Sequence, residues 1–117
     1  MKYEVEFYET ANGECPADDF INEQNIKMQA KILRTLEMLK EQGNQLRMPY
    51  SEHLREGIFQ LRAQAGKDIT RVLYFFVTGG KIIVTNGFVK KTQETPPGEI
   101  EKAKKYRVDY LNRSGEK

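Results

Sequence analysis

LREGIFQLRAQAGKDITRVLYFFVTGGKIIVTNGFVKKTQET, residues Leu54 to Thr95, reads as three consecutive β-strands joined by short turns. Thr70 to Val77 and Ile82 to Val89 are dense in β-branched and aromatic residues, and Thr78-Gly79-Gly80-Lys81 supplies two glycines where a tight hairpin needs positive φ. Upstream, Gly57 to Ala63 alternates, with Phe59, Leu61 and Ala63 on one face and Ile58, Gln60 and Arg62 on the other. Gly66, in the loop Gln64 to Asp68, lets the chain turn back, so the three strands form an antiparallel meander.

Working outward, charge separates this stretch from its surroundings. Leu54 to Lys91 carries seven basic residues (Arg55, Arg62, Lys67, Arg71, Lys81, Lys90, Lys91) against two acids, Glu56 and Asp68, whereas residues 1–53 carry six basic and ten acidic. The overall formal charge of +2 conceals this polarity. A basic strand cluster fits an anionic partner, with polynucleotide the common case. Taken singly, the same residues also read as ordinary solvated surface.

The flanks supply cover for the sheet. Lys2 to Tyr8 alternates Tyr3, Val5 and Phe7 with Lys2, Glu4 and Glu6, as in a half-buried strand of the same sheet. Asn12-Gly13 signals a turn, and Pro16 with Asp18 and Asp19 opens a first helix. Asn22 to Gln42 carries a helical stripe of Ile26, Ala30, Leu33, Leu36 and Leu39, widened by Ile32 and stopped by Gly43. Gly43 to His53, with Pro49, reads as a connector from which Arg47 and His53 reach toward the strands. Thr95-Pro96-Pro97 starts a last helix with Thr95 as cap, and Ile100, Ala103, Tyr106, Tyr110 and Leu111 form its inward side. Residues from 113 to the end are expected to fray. The expectation is one α+β domain, an antiparallel sheet of an N-terminal strand plus a three-strand meander packed by two N-terminal helices, with a C-terminal helix.

Several functions lose support. The longest apolar run, Val72 to Val77, is far short of the ~20 residues of a membrane span, and the acidic N-terminus does not read as a signal peptide. One cysteine, Cys15, and one histidine, His53, make a zinc site improbable, and a lone cysteine fits the reducing cytoplasm. No phosphate-cradling glycine motif or metalloprotease motif occurs. No metal or cofactor is expected.

The succession LREGIFQLR at 54–62, TRVLYFF at 70–76 and NGFVKKTQ at 86–93, with Thr95-Pro96 and Glu99-Ile100-Glu101-Lys102-Ala103 behind it, resembles the HigB family of host-inhibition toxins within the RelE/ParE superfamily. The match covers about residues 50–110, and the order strand, two helices, three strands, helix fits the remainder. The resemblance implies a cytoplasmic type II toxin that enters the ribosomal A site and cleaves translating messenger RNA without a metal. It also implies neutralisation by a helix-turn-helix antitoxin of the HigA type, in a complex oligomeric through the antitoxin. Carried over by position, Arg71 matches the arginine of the superfamily's Arg-x-x-Tyr strand pattern. Gln60 and Arg62 fall at the basic positions of the preceding strand, and Lys90 and Lys91 at the basic end of the last. Gln60 is neutral where relatives can carry lysine, and no Tyr or His follows Lys91 before the final helix.

Cleavage through the 2′-hydroxyl requires removing its proton, stabilising charge on phosphorus and protonating the leaving oxygen. Arginine suits the second task, because its planar fork holds phosphate oxygens and keeps its charge. Arg62 and Arg71 are therefore the expected phosphate clamp. A lysine acts as base only if its ordinary pKa of ~10.4 is pulled down, and neighbouring cations work in that direction. Lys90 or Lys91 is the expected proton-transfer partner, while His53, the one side chain with an ordinary pKa near neutrality, sits in the connector and is read as a surface or cap residue. Arg55, Gln60, Lys67, Lys81 and His53 complete the candidate RNA contacts, while Tyr74 is expected to pack in the core. Two other readings stay open: a ParE-like toxin inhibiting gyrase, and a non-enzymatic basic nucleic-acid-binding module.

Overall fold

The computed structural model describes residues 2–115. The chain runs β1 (Glu4–Phe7), α1 (Pro16–Asn22), α2 (Ile26–Gln42), a 3₁₀ turn (Gly43–Gln45), β2 (Ser51–Arg55), β3 (Ile58–Ala65), β4 (Asp68–Val77), β5 (Lys81–Val89) and α3 (Pro97–Ser114). The five strands form one sheet in the order β1-β5-β4-β3-β2. The expected α+β architecture and the antiparallel β3-β4-β5 meander are both present. Gly79 and Gly80 take φ of 92° and 81° at the β4–β5 hairpin, a region that costs glycine little and other residues more.

Two features of the sheet depart from expectation. β1 joins β5 in parallel, with Val5 opposite Ile82, because α1, α2 and three further strands intervene before β5 returns alongside it. The stretch read as a connector up to His53 contains a fifth strand, β2, which pairs antiparallel with β3 as Ser51 opposite Leu61 and Glu52 opposite Gln60. Pro49 masked it, since proline ends a strand pattern locally without forbidding a strand two residues later.

Both faces of the sheet are covered. On one, α1 and α2 pack Ile21, Met28, Ile32, Leu36 and Leu39 against Leu61, Val72, Tyr74, Ile82 and Val84. On the other, α3 brings Ala103 and Tyr110 onto Ile58, Leu73, Phe75 and Ile83. Each fully buried aliphatic side chain contributes about 1.5–3 kcal/mol. The α2 stripe is rotated from the expected one: Ile26 is 82% and Leu33 53% exposed, and Ala30 is exposed too, whereas Met28 and Thr35 face inward. Asn25 sets this phase by accepting from the Met28 N–H at 2.9 Å, so the helix starts later than Asn22.

The α3 ends also differ. Thr95 does not cap the helix; Pro96 occupies that position without a side-chain cap, and the Thr95 hydroxyl turns to the sheet instead. Residues 113–114, expected to fray, are helical, with Arg113 bonded to Asp109 at 2.8 Å and to the Glu9 carbonyl. Gly115 closes the helix in the left-handed region, and residues 116–117 lie outside the described residues.

Candidate functional site

Arg62 on β3 and Arg71 on β4 are directly opposed. Opposed residues on antiparallel strands share a face with Cβ atoms about 5 Å apart, so two guanidinium groups start from the same patch, an arrangement that is unfavourable unless something anionic intervenes. This is the face that α3 covers further along. Past the start of α3, the rows of Ile58, Leu73 and Phe75 give way to Gln60, Arg62 and Arg71.

Arg71 is only 7% exposed. Its Nη1 donates to the Gln93 carbonyl at 3.3 Å and to the Thr95 hydroxyl at 3.4 Å, both longer than a good N–H···O bond. Its Nε is buried and has no hydrogen-bond partner among the described residues. Burial pushes its pKa down; the Glu52 carboxylate pulls it back up, and Arg62 adds a smaller push down. A polarised chain of bonds leads away from it: Thr95 Oγ1 donates to Gln60 Oε1 at 2.5 Å, and Gln60 Nε2 donates to Glu52 Oε1 at 3.0 Å. Gln60 is neutral, so it can accept from one neighbour and donate to the other, which an ammonium could not do. Tyr50, Glu52, Gln60, Arg62 and Arg71 line an open cleft of about 260 Å³.

A bulge shapes the site from below. Val72 faces Gly87 and Tyr74 faces Val84, so β5 has one residue more than β4 across this interval. The Thr85 hydroxyl takes up the Leu73 carbonyl at 3.2 Å, and Asn86 Nδ2 reaches Glu99 Oε1 in the first turn of α3 at 3.0 Å. The bulge thereby ties the β5 strand to the start of α3, and with it the 90–95 segment that carries Gln93 and Thr95.

The other expected residues fall into two groups. Lys67, Lys90 and Lys91 line a neighbouring cleft of about 360 Å³ together with Gln93. Lys90 Nζ donates to the Gln93 side chain at 3.4 Å while the Gln93 carbonyl faces Arg71, so Gln93 joins the two clefts. Arg55, His53 and Lys81 lie elsewhere. Arg55 pairs with Glu101 on α3 at 3.4 Å. His53 accepts from the Gly57 N–H at 3.1 Å and packs edge-on to Phe59, on the α2 side of the sheet. Lys81 is at the β4–β5 hairpin end, opposite Val77 and 4.0 Å from Glu6. Tyr74 is buried as expected, its hydroxyl on that of Ser51.

Tyr50, Glu52, Gln93 and Thr95 line or bond into this candidate site, and the sequence reading did not place them there. Ser51-Glu52-His53-Leu54-Arg55 carries no polar–apolar alternation that would have found them; it is the pairing of β2 with β3 that puts Glu52 in register with Gln60. Among the described residues no cluster of three or more His, Cys, Asp or Glu is arranged to hold a metal ion, and no helix is long and apolar enough to cross a membrane.

Comparison with curated proteins finds no match. Residues 19–107, which include every residue of the Arg62–Arg71 cleft, match the family described as Phage derived protein Gp49-like (DUF891). The chain therefore belongs to this phage-derived Gp49-like family, a toxin-like family of the RelE superfamily.

Proposed function

We propose that the chain is the toxin of a type II toxin-antitoxin pair, a HigB-like, ribosome-dependent endoribonuclease acting on messenger RNA in the A site. The observation that carries this reading is Arg71: a buried guanidinium with an unpartnered Nε, set opposite a second arginine in an open cleft. Such a group is under-satisfied without a ligand. A phosphodiester supplies what it lacks, because two phosphate oxygens accept from the guanidinium fork and their charge relieves the Arg62–Arg71 repulsion.

In this reading Arg71 and Arg62 hold the non-bridging oxygens of the scissile phosphate and stabilise the charge that grows on them. The Glu52 carboxylate, in the same cleft, accepts the 2′-hydroxyl proton. The 2′-oxygen then bonds to phosphorus as the P–O5′ bond breaks, and the leaving O5′ takes a proton, giving a 2′,3′-cyclic phosphate and a 5′-hydroxyl. Lys90 or Lys91, across Gln93, is the proton donor. Glu52 thus takes the base role for which the sequence offered Lys90 or Lys91, since a carboxylate needs no lowering of an amine pKa. Gln60 and Thr95 orient Glu52 and Arg71 through their shared hydrogen bonds. The partner that restrains the activity is an antitoxin of the helix-turn-helix HigA type.

The test is induced expression without the partner, following growth and mapping transcript 5′ ends for wild type, Arg71→Met, Arg62→Ala and Glu52→Gln. Growth arrest with new cuts inside translated frames, lost in all three folded variants, is the expected result. Arrest with DNA breaks and no RNA cuts would replace this reading with a gyrase-directed toxin. No arrest from folded wild-type protein would leave a nucleic-acid-binding module.

A further inference from the structure

β3 outruns its edge partner. The β2–β3 ladder begins at Ser51 opposite Leu61, so among the described residues no strand lies beside the outer edge of β3 from Arg62 to Ala65. The Arg62 N–H donates to the Tyr50 carbonyl at 2.8 Å, fixing Tyr50 where the ladder stops. Between this open edge and α2 lies a cleft of about 410 Å³, lined by Lys31, Arg34, Met38, Tyr50, Arg62 and Gln64 among others. It meets the Arg62–Arg71 cleft at Tyr50 and Arg62, which line both.

The chemistry of this second cleft is unlike the acidic half of the chain that contributes to it. Lys31 and Arg34 are one helical turn apart on α2, and among the described residues neither enters an ion pair. The Arg62 side chain donates to the neutral Gln64 at 2.8 Å and, among the described residues, enters no ion pair. Tyr50 is 43% exposed, an aromatic ring available between three cations. Cations spaced around an available aromatic face suit single-stranded nucleic acid, in which the cations follow the phosphates and unstacked bases lie on the ring. An acidic peptide would use the cations and leave the ring unexplained.

We infer that the cleft between α2 and β3 is a nucleotide subsite next to the scissile phosphate, in which Tyr50 stacks on a base of single-stranded RNA and Lys31 and Arg34 hold the adjoining phosphate. This rests on the endoribonuclease reading and extends it to the substrate strand: the RNA backbone passes from Arg71 over Arg62 and out along α2. Because the ring is available to any base, the subsite grips the strand without selecting its sequence. Tyr50 is a binding residue here, and Lys31 and Arg34 belong to the site although they are remote from it in sequence.

The test uses the purified chain and two fluorescein-labelled octamers: a fully 2′-O-methylated oligoribonucleotide, which has no 2′-hydroxyl to attack, and an abasic oligomer of equal length. Tyr50→Ala should weaken the base-bearing octamer by about 5- to 140-fold, the range for one stacked base, and leave the abasic oligomer unchanged, while Tyr50→Phe restores binding. Lys31→Ala with Arg34→Ala should weaken both oligomers and reduce the salt slope by about 0.7, the value for the one phosphate they share. The inference is overturned if Tyr50→Ala affects both oligomers alike or neither, or if folded wild type binds neither. Transcript cuts in cells that need Arg71 but not Tyr50, Lys31 or Arg34 would remove the subsite and leave the nuclease standing. Absence of cuts from wild type would remove the reading on which the subsite rests.

Discussion

Replacing Arg71 with methionine should make the fold more stable and abolish the proposed cleavage. In the native chain the guanidinium is almost wholly desolvated, its Nε has no partner, and Arg62 lies directly across the ladder. An unsatisfied buried donor costs about 1–3 kcal/mol. Against this stand two long Nη1 bonds, at 3.3 and 3.4 Å, each contributing no more than about 0.5 kcal/mol, and the attraction of Glu52. Methionine fills a similar volume with flexible apolar atoms and carries no donor. The net expectation is a gain of about 1 kcal/mol, or roughly 4 °C in Tm for a chain of this size. The gain should be independent of pH between about 5 and 9. Arg71 has a folded pKa below its unfolded value, so its charged form disfavours folding by a constant amount wherever both states are protonated. That deficit shrinks only as pH rises through the folded pKa, at the strongly alkaline end. Removing one such electrostatic donor from a transition state costs about 10²–10³ in rate. Urea unfolding and counts of transcript cuts read the two effects separately. A methionine variant that loses 1 kcal/mol or more would refute the reasoning, because Arg71 would then be a net support of the fold and not an unsatisfied binding group.

The Thr95→Val variant keeps the shape and removes the hydroxyl between Gln60 and Arg71; it should lower stability by about 1 kcal/mol and the proposed cleavage by more than its stability loss explains, measured as cut frequency at matched protein level. Rotation of α2 from its expected phase predicts that Ile26→Gln and Leu33→Gln stay within about 0.5 kcal/mol of wild type, while Leu36→Ala and Leu39→Ala each cost about 2–5 kcal/mol by urea titration. Asp109 accepts from Tyr8 and Arg113, and both hold its carboxyl below the usual value of 3.8. Its support is present above the unfolded pKa and lost as pH falls through the lower folded one, so between pH 5 and 2 the Tm of wild type should fall more steeply than that of Asp109→Asn.

The central meander was legible because its signals are local. Two β-branched runs, two glycines at a turn and a period of two are read within a few residues of one another, and the same period puts Gln60, Arg62 and Arg71 on one face once the strands pair. Two other kinds of information were not local. β2 has a single intermediate position, Leu54, among exposed neighbours, and only its buried Ser51, set on Tyr74, reveals that it is a strand. The phase of α2 depended on Asn25 starting the helix; shifting the start turned Ile26 and Leu33 outward and Met28 inward. Thr95 shows the limit at the site itself. A threonine before two prolines reads as a cap, yet Gln60, distant in sequence, offers a carbonyl that competes for its hydroxyl, and the tertiary bond wins.

The site and the α3 core are built on one face by one alternation, and what separates them is where α3 begins. Under the helix, the inward positions Ile58, Leu73, Phe75 and Ile83 are apolar and buried by Ala103 and Tyr110. Beyond Pro97 there is no helix to bury them, so the same rows can carry Gln60, Arg62 and Arg71 at the mouth of an open cleft. Among the described residues the two buried side-chain polar atoms without a partner are Arg71 Nε and Asn86 Oδ1, one on each of the adjacent strands β4 and β5. Asn86 is anchored to the first turn of α3 and Arg71 to the segment just before it. Unsatisfied polar groups are therefore concentrated where the helix stops covering the sheet, the place at which a fold gives up stability for a ligand rather than for itself. An anion bound there would complete what the packing leaves open, and binding it should raise Tm in the wild type and not in Arg71→Met.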